Sequence, residues 1–179
     1  MPLTIKVKKE IIEINKDELA PTSTILANPA DGAAVMLIAS EEWAKSESQA
    51  PIADVLSVAV SAGDPKGDGL VGSEAIKKAL QFANLPIRAI DYFFILEISA
   101  AQAMAVSAEL LSMGLTEADI GEKVNPIGGA LGVGNTYGAA GVILTHDLLM
   151  HLKDMDKQIG LSLVCAEGGQ AMAMIVERR

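Results

Sequence analysis

The sequence predicts an α/β fold: a mixed, five-stranded sheet with helices on both faces. Three observations carry this. Short β-branched or continuously apolar runs alternate with amphipathic stretches of helical length. The alternation recurs along most of the chain, the pattern of a layered α/β domain. Near the C-terminus two strand-like runs are separated only by Glu167-Gly168-Gly169, which reads as an antiparallel hairpin.

Residues 4–14, TIKVKKEIIEI, alternate and are rich in β-branched side chains, so they read as one strand or an extended arm. A loop, NKDELAPTST, follows. Residues 1–27 are thus an N-terminal arm and loop, and 28–179 a single domain. Residues 33–40 form an apolar run short enough for a buried strand, with Ser40 placed to cap a short helix beginning EEWAKSES. Residues 52–63 read as a strand and DPKGDGLVG as a turn-rich loop, with Asp64, Lys66 and Asp68 as turn chemistry. The helix predicted over 73–85 has an apolar face of Ala75, Ile76, Ala79, Leu80 and Phe82, and Ser73 as its cap. A strand at 90–99 and a helix at 100–114, stopped by Gly114, come next. The helix at 138–150 begins with almost no side-chain bulk, which suits very close packing. Strands at 160–166 and 170–178 close the chain.

With 179 residues, half of them hydrophobic, the chain can build one domain with a sizeable core. A net charge of −9 argues against a binder of nucleic-acid backbone, which needs a basic face. No apolar run is long enough for a membrane span or a signal peptide. The single cysteine excludes an internal disulfide and suits a reducing cytoplasm. His146 and His151, five apart on one helix, belong to no ligand set, and no metal site is expected.

Two places invite chemistry. Residues 128–141, GGALGVGNTYGAAG, contain six glycines and three alanines. The spacing fits neither a phosphate loop nor a dinucleotide fingerprint. A glycine loop entering a helix can instead present several N–H groups to a carbonyl oxygen or anion, or simply be a tight corner. At its tip, beside Gly134, Asn135 can donate and accept hydrogen bonds but cannot act as a base. The plainer alternative is a residue that tolerates left-handed backbone there. Cys165 ends an apolar strand just before the hairpin glycines. It reads either as a small buried hydrophobe or as a thiol presented beside glycine amides.

In order, DGAAVMLIASEEWAK, LEISAAQAMAV, NPIGGALGVGNTYGAAG and CAEGGQAMAMIVER resemble the C-terminal half of a thiolase, from about residue 28 to the end. The resemblance implies one half of a pseudo-symmetric sandwich and matches Cys165 to the family's acid/base cysteine. Other positions depart from the pattern. Asn135 stands at the catalytic histidine of Gly-His-Pro. Leu96 stands at the asparagine of Asn-Glu-Ala-Phe, of which only Glu97 survives, and Ser99 at its phenylalanine. Glu167 stands at the position whose backbone N–H helps form an oxyanion hole. Gly-Asn-Thr also resembles the loop of condensing ketoacyl synthases, in which the asparagine helps form such a hole; these pair it with a histidine where this chain has Leu96.

The resemblance implies a small subunit of a split acyltransferase acting on acyl-coenzyme A, with no permanently bound cofactor. The nucleophilic cysteine would come from an N-terminal-half partner, and association with that partner or with itself is expected. Cys165 and Asn135 would be catalytic, with loop amides at Gly134, Glu167 and Gly168 and support from Glu97. The alternative is a non-catalytic binding or scaffolding subunit that kept the fold.

Overall fold

A computed structural model describes residues 3–7, 10–14, 26–65 and 70–179. The loop at 15–24, and Lys66 and Asp68, lie outside the described residues. The segment read as one N-terminal strand is instead an antiparallel pair, β1 (Leu3–Val7) and β2 (Glu10–Ile14), with Leu3 opposite Ile14.

The main sheet has four strands, not five: β3 (Ala53–Ala62), β4 (Tyr92–Ile95), β5 (Ile159–Ala166) and β6 (Gln170–Arg178), in the order β3-β6-β5-β4. β6 pairs antiparallel with both β3 and β5, while β4 and β5 are parallel, so the sheet is mixed. The missing strand is 33–40, which has no ladder partner among the described residues. Val35 is fully exposed, and Leu37 and Ile38 are about three-quarters exposed. Hydrophobicity alone cannot make a strand; a sheet edge must accept its N–H and C=O groups.

Helices lie on both faces. α1 (Glu41–Ser46) is capped by Ser40, whose Oγ accepts from the Trp43 N–H at 3.2 Å, as the sequence predicts. α2 (Leu70–Ala83) and α3 (Ala100–Ser112) cover one face, where Ile76, Phe93, Ile95, Val106, Leu110, Leu161, Leu163 and Ile175 form the larger core. α2 starts before Ser73, which therefore lies inside the helix rather than at its cap. Its close seat on β3 comes from small residues: buried Ser57, Ala59 and Ser61 face it, and the Ser57 hydroxyl donates to Ala79 O at 2.8 Å.

α4 (Glu117–Lys123), a short helix the sequence patterning does not mark, follows α3, and α5 (Ala130–Val133) lies in the glycine loop. α6 (Ala140–Asp154) covers the opposite face. There Leu148, Leu149 and Leu152 meet Tyr92, Phe94 and Val176. β4 therefore sends Phe93 and Ile95 to one core and Tyr92 and Phe94 to the other, the period-2 alternation of a strand buried on both sides.

α6 leaves the β3 end of that face open. Val58, Val60 and Met172 are each about half exposed there, with Val60 directly opposite Met172. No described helix is long and apolar enough to cross a membrane.

The packing of α6 on β5 can be tested at one glycine. A Cβ on Gly160 would come within 2.7–2.9 Å of three Leu148 side-chain atoms. Gly160→Ala should therefore lower the unfolding free energy by about 1–3 kcal/mol in a urea melt, the usual cost of overpacking.

A second prediction concerns the box that caps α4. Asp119 accepts from the side chain and the backbone N–H of Thr116, at 2.6 and 2.8 Å. These bonds, and then Lys123, hold its carboxyl well below the usual carboxylate range. A lowered folded pKa stabilises fully above the unfolded value near 4 and is lost as pH falls through the folded one. Protection of the α4 amides relative to their intrinsic exchange rates should therefore hold from neutral pH down to the ordinary carboxylate value near 4 and fall only below it, while Asp119→Asn should lower that protection already at pH 6.

Candidate functional site

Cys165 sits near the end of β5, paired with Ala171 across the hairpin. It is 8% exposed, and Gly72 of α2 lies against it: a Cβ on Gly72 would come 3.0 Å from the thiol sulfur. The missing side chain at Gly72 is what lets α2 pass beside the thiol. The hairpin turn is three residues long. Gly168 and Gly169 both have positive φ, and a Cβ on Gly169 would strike the Gly63 carbonyl oxygen. Only glycine suits that position.

Cys165 opens onto a cavity of about 170 Å³. Its lining includes Leu26, Ser99, Gln102, Glu167 and Gly169. No Lys, Arg or His is among the described lining residues. Ser99 caps α3, its Oγ accepting from the Gln102 N–H at 3.1 Å. This gives Ser99 a structural reason to replace an aromatic residue.

The glycine loop is held by a chain of hydrogen bonds that begins at the sheet edge. Asn125 takes a left-handed conformation and lies beside β4. Its N–H donates to Phe93 O at 2.9 Å, its Oδ1 accepts from Ile95 N–H at 2.7 Å, and its Nδ2 donates to Ile95 O at 2.9 Å. The same Nδ2 donates to Glu97 Oε1 at 2.7 Å, and Glu97 Oε2 accepts from the Leu131 N–H at 3.3 Å. Glu97 lies so close to Gly129 that a Cβ there would clash with its carboxylate. Glu97 is thus an anchor of the loop. Asn125 does most of this anchoring; it opens the NPIGGALGVGNTYGAAG motif, but the sequence reading gives it no role among the site residues.

At the loop's tip, Asn135 is 8% exposed and does not have positive φ. The left-handed alternative fails for Asn135 and applies to its neighbours Gly134 and Tyr137 instead. Gly134 packs so tightly on Ala30 that an added Cβ would meet it at 2.6 Å. Asn135 Oδ1 accepts from the Tyr137 N–H at 2.9 Å, so the side-chain oxygen is engaged in the turn. That leaves its Nδ2, a donor with no hydrogen bond to any described residue. Residues 26–30 tie the two regions together. Leu26 lines the Cys165 cavity, Ala27 N–H donates to Ile98 O, and Ala30 N–H donates to Asn135 O at 2.9 Å.

The predicted residues therefore divide. Cys165 and Glu167 share the cavity. Gly168 shapes the turn without lining it. Gly134 and Asn135 belong to the neighbouring glycine loop, which Glu97 anchors from the β4–α3 junction. Leu96 is buried with Ala130 and Ala140 in a small apolar cluster.

The model of the thiolase C-terminal domain family matches residues 49–178. The chain belongs to the thiolase family. It is 38% identical over 159 residues to a 3-ketoacyl-CoA thiolase of Alcanivorax borkumensis, covering 89% of this chain and 39% of that protein. With the acetyl-CoA acetyltransferase of Escherichia coli it shares 37% identity over 148 residues, 83% of this chain and 36% of that one. The human mitochondrial 3-ketoacyl-CoA thiolase structure superposes with a TM-score of 0.73 at 28% identity, over 99% of this chain and 49% of that one. An Ascaris suum thiolase solved in complex with coenzyme A gives a TM-score of 0.69 at 28% identity, over 79% and 35% of the two chains. This thiolase domain thus spans well under half the length of the curated relatives it matches.

Asn125→Ala should lower stability by about 1–3 kcal/mol, because it leaves the Ile95 N–H and C=O without their side-chain partner and Glu97 Oε1 without its donor. Urea denaturation measures the loss, and amide exchange should locate the added opening at β4 and residues 128–134.

Proposed function

We propose that this thiolase domain is the C-terminal-half subunit of a split acyltransferase acting on acyl-coenzyme A. The observation that carries the reading is Cys165 opening onto a cavity edged by the glycine hairpin and the α3 N-terminus, in a chain of thiolase ancestry. Cys165 moves a proton at the substrate α-carbon or on the coenzyme thiol. Asn135 Nδ2 and loop amides donate to the oxygen on which negative charge develops. Asn135 suits that role as a donor and cannot replace a histidine as base, so Cys165 carries the proton transfer. The sequence has only one cysteine, so on this reading the acylated nucleophile comes from a partner.

Two exposed apolar regions support association. One is the segment 33–40; the other is the open face of β3 and β6 at Val58, Val60 and Met172. Patches of this kind usually mark an interface.

One observation favours the second reading, a binding or scaffolding subunit without activity. Leu96 is packed into an apolar cluster where the resemblance puts a polar side chain, so that position offers the substrate no hydrogen bond.

The test is purification from the native host, followed by acyl-CoA thiolysis and condensation assays of the native complex and of Cys165→Ser. The reading expects a co-purifying chain with a reactive cysteine, and a drop of about 10²–10⁴-fold in the variant. Activity unchanged by the substitution leaves Cys165 as packing; a monodisperse monomer without activity in light scattering and assay favours neither partner nor catalysis.

A further inference from the structure

β3 is the sheet's other outer strand, and it is finished quite differently from β4. β4 is four residues long, and Asn125 closes it. β3 is ten residues long, and no described strand pairs with its outer side. The ladder to β6 fixes which groups face outward. Gly63 N–H donates to Gly169 O across that ladder, so alternation turns the N–H and C=O of Val58, Val60 and Ala62 away from β6. Lys78 agrees with this assignment: its Nζ reaches Val60 O from α2 at 3.5 Å. The ammonium is at the limit of hydrogen-bond distance on a flexible stem, so an incoming N–H can displace it.

Free edges are normally guarded by charge, proline or a bulge. From Val55 to Ala62, β3 carries no charged residue and no proline. Its bulge lies between Val55 and Ser57, which leaves Ser57 to Ala62 in regular register.

The strand that fits such an edge is apolar and free of charge, and β3 itself meets the condition. Two copies related by a two-fold axis pair β3 with β3 antiparallel, a closed and self-complementary contact. The half-exposed Val58 and Val60 then gain valine neighbours across the new ladder. α2 supplies the second part of the fit. It packs on β3 and β6 alike, so its axis lies about half a strand spacing, ~2.4 Å, inside β3. A β3–β3 spacing of ~4.8 Å then sets the two α2 helices ~10 Å apart, an ordinary distance for packed helices. Phe82 lies on that flank, one turn beyond Lys78, and is 65% exposed. The sequence patterning puts Phe82 on the buried face of α2; in the single chain it is left in water. Because Asn125 closes the far edge of the sheet, pairing stops at two copies.

We propose that two copies of this chain join edge to edge through β3, antiparallel about a two-fold axis, with the Phe82 flanks of α2 packed together. This goes beyond the acyl-coenzyme A reading and does not rest on it. The open face of β3 and β6 stays free for another partner.

Light scattering and sedimentation of the full chain across a dilution series give the test. The expected species has twice the 18.7 kDa mass of the chain and dissociates on dilution. Amide exchange at high and low concentration reads the edge directly. The N–H groups of Val58, Val60 and Ala62 should slow about tenfold or more in the dimer, whereas those of Ser57, Ala59 and Ser61 are already held by β6. Val60→Pro removes an outward N–H that the ladder to β6 does not use, and Phe82→Ser removes the helix contact. Each acts twice across the axis and should raise the dimer dissociation constant about tenfold or more.

A chain that stays at 18.7 kDa at every concentration overturns the proposal. So does a dimer whose Val58 and Val60 amides exchange as fast as in the monomer, which marks docking through the open face instead, and so does a dimer that Phe82→Ser leaves as tight as before. If Val60→Pro fails to fold, the exchange pattern and Phe82→Ser decide alone. None of these results bears on the acyl-coenzyme A reading, which the Cys165→Ser assay tests separately.

Discussion

The free edge of β4 is the constraint on which the candidate site depends. An outer strand exposes a row of unpaired N–H and C=O groups, yet every residue of β4 is buried. Asn125 resolves this by standing in for a strand. Its backbone pairs with Phe93, and its side-chain amide satisfies both the N–H and the C=O of Ile95. A primary amide is the side chain that carries a donor and an acceptor in the spacing of a peptide group. Having closed the edge, the same amide reaches Glu97, and Glu97 reaches the glycine loop. Sheet edge and the start of the loop are therefore one hydrogen-bonded unit, while Asn135 at the tip is held by the backbone of Asn28 and Ala30.

The second constraint is incompleteness. One face of the sheet is closed by α2 and α3, while α6 covers only part of the other. Valines sit on the open side of β3 and serines on the covered side, which inverts the usual arrangement for an isolated domain. The inversion makes sense if small residues are needed for the close seat of α2 and the valines are meant for another surface. Residues 33–40 fit the same picture, being apolar and exposed without a sheet to join.

Two buried side-chain amides, Asn135 and Gln102, are set in the same way. Asn135 engages its oxygen in the turn and keeps its nitrogen, and Gln102 does the same with Ile98. Both amides are oriented by a backbone N–H that claims the oxygen.

The local code was legible in the sequence. Periodicity marked β3, β5 and β6, α2, α3 and α6, because burial on one face imposes a repeat of 2 or 3.6 residues whatever the partner. Ser40 and the hairpin at residues 167–169 were legible for the same reason, since caps and tight turns are satisfied within a few residues. The motifs around Cys165 and Asn135 were enough to indicate the thiolase family. What the sequence could not decide is whatever depends on distant partners. The run at 33–40 is apolar enough for a strand, but strands exist only where another edge accepts them. Asn125 and Gln102 lie inside the matched motifs, but their roles were not legible, because these come from Ile95 and Ile98 and from Glu97. A hydrogen bond is directional and short in range, so its meaning is set by where the fold brings the second atom, not by the residue that carries the first.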